Sequence, residues 1–460
     1  MKLKEFGKFQ KLNVPSNKEF RKFLNENWRN RYYLYDDSKL YENEEEIVEQ
    51  RYLIFDGDLV KARNYVGFIS YKGESITIYP KIFEDNIEED QLDSYLISNI
   101  LYWLSKCTKI KFPIIDTNIN FNRSDSILEL FIYIFSKLTL ENVYNNPYNS
   151  YEEVEEELPY LKGRLNTTEY LKSNIATGRW NNFNIIHEPY IYNNKLNKII
   201  KFVSRRLFNI TKNLDSKENL RKILFILDEI DDEVFDENAC DNITLNRFNK
   251  DYEIILSLCE IFLKNSSITR NKDENRINFC FLFPMEIIYE DFLYCFVKEK
   301  FKNEFKDIIS QKSNLYLADL YINEKYKNNM FNLKQDIFLR DNNDKIYILD
   351  TKYKILNSNR SKNYGISQLD MYQMCSYALA GGYNKLALVY PKNNNNKENI
   401  KFEVNSKFQI APIEIEIVKV SFLLDYEEYK MNNNLNDLFK ANDNKIILEL
   451  KEYFKANKSL

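Results

Sequence analysis

Asp336, Asp350 and Lys352 are two carboxylates and an ammonium at spacings that can bring all three to one point. They lie in the stretch FNLKQDIFLRDNNDKIYILDTKY, from Phe331 to Tyr353. Asp336–Arg340 and Ile346–Tyr353 read as two strands, and the polar run Asp341–Lys345 reads as the turn between them. Side chains alternate along a strand, so Asp350 and Lys352 share a face. If the turn takes all five polar residues, Arg340 faces Ile346 and Asp336 faces Asp350, with Cβ atoms roughly 4.5–5.5 Å apart. A divalent cation with oxygen ligands could hold such a carboxylate pair together, with the lysine beside it. Acid-x-Lys by itself means little. It recurs at Asp215 and Glu304, where solvated charge explains it. The apolar delivery strand and the facing acid set Asp350 apart.

Other elements must hold this hairpin. Pro284 can open a helix, Met285–Phe301, that carries Glu286 and Glu290 one turn apart on one face. Ser367–Ala380 reads as a second helix, closed by Gly381-Gly382, with Gln373 and Tyr377 four residues apart on a shared face. Lys385–Tyr390 reads as a buried strand stopped by Pro391, and the tail from Tyr426 as helical. Helix, strand, strand, helix, strand implies helices packed on a mixed sheet. The expected whole is a multidomain α+β protein: a β-rich domain at 1–95, a mainly helical middle region at 96–275, and an α/β domain with a helical tail at 276–460. In the first, Tyr65–Tyr71 and Ser75–Pro80 flank Lys72-Gly73-Glu74 as a hairpin with glycine at positive φ. In the second, Leu96–Leu104, Ile127–Leu138, Leu196–Leu207, Leu220–Leu227 and Tyr252–Leu263 show helical spacing. The acidic run Glu152–Glu157 reads as a solvated face or loop, and Leu161-Lys162-Gly163-Arg164 as a surface turn.

Composition removes several chemistries. His187 is the only histidine, which excludes Ser-His-Asp, Cys-His and multi-histidine metal sites. The six cysteines are scattered without a C-x-x-C pair, so neither a zinc knuckle nor an iron–sulfur cluster is signalled, and buried reduced thiols in a cytoplasmic protein are expected. No phosphate-binding G-x-x-x-x-G-K-[ST] loop occurs. No apolar run approaches the roughly 20 residues of a membrane span. With 65 basic and 69 acidic residues the net charge is −4. DNA binding must then rest on a local patch or a partner.

Acid…acid-x-Lys on such a hairpin resembles the PD-(D/E)xK nuclease superfamily, and Gln373-x-x-x-Tyr377 resembles the QxxxY element of its RecB-like branch. Over most of its length the chain resembles the McrC family, nuclease subunits of McrBC modification-dependent restriction systems. The likeness rests on Tyr65–Ile69 with Ile76–Ile82, Leu161–Leu165, Asn193–Ile199, Pro284–Glu290, Ile348–Tyr353 and Met371–Tyr377, taken in that order and spacing. It implies a restriction-endonuclease-like fold for 276–460. It also implies Mg²⁺ bound by Asp336, Asp350 and the helical acid Glu290, with Lys352 as the catalytic lysine and Gln373 in support. The implied function is cleavage of double-stranded DNA carrying 5-methylcytosine, beside a McrB-like AAA+ hexamer that hydrolyses GTP or ATP and docks on 1–95. A non-cleaving adaptor of that ring and a stand-alone RecB-like repair nuclease are the alternatives. One departure stands out: Gln335 occupies the motif's usual proline position.

Overall fold

The protein is described by a computed structural model over residues 1–12, 14, 17–31, 49–110, 127–241, 243–245, 249–265, 278–396, 398–404, 412–432 and 434–456. The parts of the expected segments that fall on 32–48, 111–126, 266–277 and 405–411 lie outside the described residues. Contacts divide the chain into two compact units, Met1–Ser124 with Phe279–Leu460, and Asp125–Asn278. The two ends expected as separate domains therefore share one unit. Phe279–Pro284 pairs antiparallel with Tyr65–Tyr71 and completes a four-stranded sheet with Glu74–Tyr79 and Lys2–Lys4. Gly67 makes this pairing possible. At its φ of 141° a Cβ would stand 2.0 Å from the Phe281 carbonyl oxygen, so a side chain there would collide with the neighbouring backbone. The Lys72-Gly73 turn has positive φ at both positions, which glycine at the second adopts without strain.

The second sheet of this unit has six strands in the spatial order Phe305–Ile322, Lys325–Asp341, Ile346–Thr351, Lys385–Pro391, Ile413–Val420, Ile400–Val404. Its centre is parallel and its flanks antiparallel, the expected mixed sheet. Alternation along Ile346–Thr351 sends side chains to two helical layers. Ile348 joins Phe338, Met374, Tyr377 and Ala378 beneath the helix Gln368–Gly381. Tyr347 packs on the other face against Phe305, Tyr453 and Phe454, the last two from the C-terminal helix Leu435–Ala456. Both helices that frame the hairpin start where the sequence places them. Pro284 precedes Met285–Lys300, and Ser367 caps Gln368–Gly381 through its hydroxyl, 3.1 Å from the Leu369 amide.

The unit Asp125–Asn278 contains the expected helices as Ile127–Asn145, Lys195–Phe208, Leu214–Ile226 and Asp251–Asn265. The acidic run is solvent-facing, as expected, but it forms a strand and not a loop. Val154–Leu158 is a strand, the edge of a three-stranded sheet, paired with Phe183–His187. Charge on an edge strand discourages further pairing, which is why a glutamate-rich run can be β here. His187 sits at the end of that ladder against Glu156. All six cysteines are unpaired. Among the described residues no helix is long and apolar enough to cross a membrane.

Candidate active site

The hairpin closes in the expected register, with Arg340 opposite Ile346 and pairing continuing to Ile337 opposite Leu349. One step further stand Asp336 and Asp350. There the Asp336 carboxylate turns to the delivery strand, and its Oδ2 accepts hydrogen bonds from the Thr351 amide at 2.7 Å and hydroxyl at 2.8 Å. Asp350 is fully buried near the end of the strand Ile346–Thr351, which is held between two neighbours. Lys352 lies just past the strand end, its amide fixed to the Val389 carbonyl at 2.8 Å. Its ammonium reaches back to 2.5 Å from Asp350 Oδ2. That contact is an ion pair, and no further hydrogen bond reaches this oxygen.

The helix Gln368–Gly381 supplies the support. Lys352 Nζ donates to Gln373 Oε1 at 3.0 Å, and Gln373 Nε2 donates to the Tyr377 hydroxyl at 2.6 Å. Tyr377 in turn donates to the Lys334 carbonyl, and its hydroxyl lies 3.4 Å from Asp350 Oδ1. The lysine is thus aimed through a chain of contacts that also touches the acid it neutralises. Glu290, on Met285–Lys300, opens onto the same cleft but is engaged by Lys109 at 2.8 Å and by Gln311 at 2.7 Å. The cleft encloses about 340 Å³ and is lined by Glu286, Glu290, Asp336, Lys352, Lys354 and Asp370, among others.

Charge is crowded here. Burial raises the Asp336 carboxyl to about 8, reinforced by the Asp350 and Glu290 charges and opposed by Lys352. Burial likewise raises Asp350, with Lys352 pulling it back. Burial would lower Lys352, yet Asp350 and Asp336 together hold it above its ordinary value. With Asp336 protonated, Lys352 balances Asp350, and ionising Asp336 leaves one negative charge that the lysine does not cancel. Among the described residues no three His, Cys, Asp or Glu side chains are gathered closely enough to ligate a metal together. Asp336 and Asp350 nonetheless offer oxygen-only donors, and Asp350 Oδ2 is held by the Lys352 ammonium alone. Such a set suits a hard cation like Mg²⁺, which is commonly held by one or two carboxylates and completed by water and phosphate.

Thr351, Gln311, Lys109, Lys354 and Asp370 also belong to this neighbourhood. Lys354 continues the alternation of Asp350 and Lys352 and binds Asp370 at 2.8 Å, so the strand period alone could have signalled it. Lys109 and Gln311 are brought in by the fold and leave no trace in the local sequence. Gln335 is fully buried, and neither atom of its amide has a hydrogen-bond partner. An unpaired buried amide costs about 1–3 kcal/mol. Gln335→Met, of similar length, is therefore expected to raise stability by that order in a denaturant titration. A loss of stability would mean that the amide has a partner.

The sequence profile described as "McrBC 5-methylcytosine restriction system component" matches residues 60–391. No curated protein matches significantly. Among solved structures, the chain is similar to one in the "refined half-complex from tetradecameric assembly of Thermococcus gammatolerans McrB AAA+ hexamers with bound McrC". The identity is 17% and the TM-score 0.64, over 97% of this chain and 99% of that one. A chain of the Thermococcus gammatolerans McrBC complex aligns at 18% identity and TM-score 0.45, over 64% of this chain and 86% of that one. At such identities the first likeness is one of fold.

Proposed function

Since the chain belongs to the family of McrBC 5-methylcytosine restriction system components, we propose that it is the McrC-type subunit that cuts DNA, a Mg²⁺-dependent endonuclease of PD-(D/E)xK type. The observation that carries this reading is Lys352 held between Asp350 and the Gln373–Tyr377 pair at the mouth of an acidic cleft. Asp336 and Asp350 would hold the metal, with Glu290 at the rim able to join once released from Lys109. When bound, Mg²⁺ neutralises charge developing on the phosphate and favours ionisation of a water. Lys352, fixed by Gln373, orients the attacking water or stabilises the charge on the phosphate oxygens. Tyr377 holds Gln373 and the Lys334 carbonyl together, which keeps both strands and the helix in one arrangement.

Neutral Asp336 cannot serve a cation, so protons and Mg²⁺ compete for it. Its folded-state value lies above the ordinary 3.8. The associated stability is therefore present below about pH 4 and is lost as pH rises through about 8. Metal-free protein is expected to lose Tm across that window. Added Mg²⁺ should raise Tm more at pH 8 than at pH 6. A metal-induced shift that is independent of pH would remove Asp336 from the ligand set.

The partner in this reading is a McrB-like AAA+ hexamer that moves methylated duplex DNA, with 1–95 as its dock. Deleting 1–95 is not a clean test of that dock. Tyr65–Tyr71 pairs with Phe279–Pro284, and the Tyr353 hydroxyl, next to Lys352, donates to buried Glu5 at 3.0 Å. Substitutions at the exposed turn Asp56-Gly57-Asp58 leave that core intact. If this turn is the dock, they lower stimulation of the partner's NTPase without changing the fold. Cleavage of methylated duplex by this chain with its partner and Mg²⁺ tests the whole proposal.

A further inference from the structure

The strands Phe305–Ile322 and Lys325–Asp341 are far longer than their neighbours in the sheet. Beyond Leu315 and Leu333 they leave it as a two-stranded arm, paired to Ile322 opposite Lys325. Asn323 and Glu324 close the tip, both at positive φ, a turn whose twist suits a hairpin. At about 3.3 Å per residue the arm reaches roughly 25 Å. Every residue from Tyr321 to Asn332 is exposed, including Tyr321 at 60% and Phe331 at 67%. A free ribbon with both faces in water is marginal by itself.

We propose that this arm is a DNA-binding element that lies along the duplex beside the phosphate to be cut. The proposal rests on the nuclease reading above and specifies how the substrate is held. Three observations favour DNA as the occupant. The arm is rooted in the site: Gln311 on one strand and Asp336 on the other both line the cleft. A duplex with a phosphate at Asp336 must pass close to that root. The arm carries Lys325 and Lys327 beside its tip against two acids, Asp319 and Glu324, and two further lysines, Lys312 and Lys334, stand at its root, in a chain of net charge −4. Its exposed polar residues are mostly asparagine, lysine and tyrosine, which serve phosphate and sugar contacts, while Tyr321, Tyr326 and Phe331 offer apolar contact area. A two-stranded ribbon also has the width of the major groove, and the reach of this one spans most of a helical turn. A second copy of the chain is a poorer occupant, because the apolar residues of the arm are interrupted by asparagines and make no continuous apolar face.

The test uses the full-length chain and a fluescently labelled duplex of mixed sequence, titrated over a series of salt concentrations. Lys325→Glu with Lys327→Glu is expected to weaken binding roughly tenfold and to make the salt dependence shallower by about two phosphate contacts. Tyr321→Ser with Phe331→Ser is expected to weaken binding with little change in salt slope. Tm should stay at the wild-type value for both, since all four side chains are exposed. Wild-type affinity and slope in both variants would overturn the proposal. So would unchanged DNA binding with loss of self-association in sedimentation, which would assign the arm to a second copy. Arm-dependent binding by a wild-type complex that never cuts would instead refute the nuclease reading and leave the arm standing.

Discussion

Asp350→Asn is expected to abolish strand cleavage while leaving a folded protein of equal or slightly higher Tm. The carboxylate is proposed to hold the metal, which lowers the barrier by several kcal/mol, so single-turnover cutting should fall by roughly 10³-fold or more. Stability should not follow. Asp350 is buried, its carboxyl is raised by that burial, and its charge raises Asp336 in turn. The amide removes a buried like charge and keeps nearly the same shape, and Lys352, partly exposed, retains Gln373 and the Asp336 charge when its ion pair with Asp350 is lost. A sharp fall in Tm would show that Asp350 serves packing.

Lys352→Ala is expected to lose cleavage and stability together. It leaves Asp350 buried without the cation now 2.5 Å away. Breaking a buried pair from one side costs about 3–5 kcal/mol. Here the cost should fall toward the lower end, because the lysine side chain retains 17% exposure and water can enter the cleft. Adding Asp350→Asn to that variant should restore most of the Tm and none of the cutting. This split separates a lysine that acts on substrate from one that only balances charge. If the double variant remains as unstable as Lys352→Ala alone, the loss lies in packing of the lysine stem.

Much of the site can be read from the sequence because it is local. Strand alternation aligns Asp350 with Lys352, a five-residue turn fixes Arg340 opposite Ile346, and a four-residue spacing sets Gln373 beside Tyr377. Proline and glycine mark the helix ends. What the sequence hides is long-range pairing. Phe279–Pro284 is an apolar run that looks like the start of the last domain, yet its partner strand lies more than 200 residues earlier. The arm was concealed for a different reason. Leu315–Leu333 mixes apolar and polar residues without a buried face, so its period carries no strand signal, and only the pairing of the two halves reveals it. The glutamate strand Val154–Leu158 misleads in the same way, since an edge strand need not bury its side chains.

The most direct measurement of the central claim is single-turnover cleavage of methylated and unmethylated duplexes by this chain reconstituted with its AAA+ partner, NTP and Mg²⁺. The account predicts cutting of the methylated duplex by the wild-type chain and none by Asp350→Asn, with both chains stimulating the partner's NTPase equally. Cutting by Asp350→Asn at the wild-type rate would place the chemistry elsewhere. NTPase stimulation by a wild-type chain that cuts neither duplex would make the protein an adaptor of the ring.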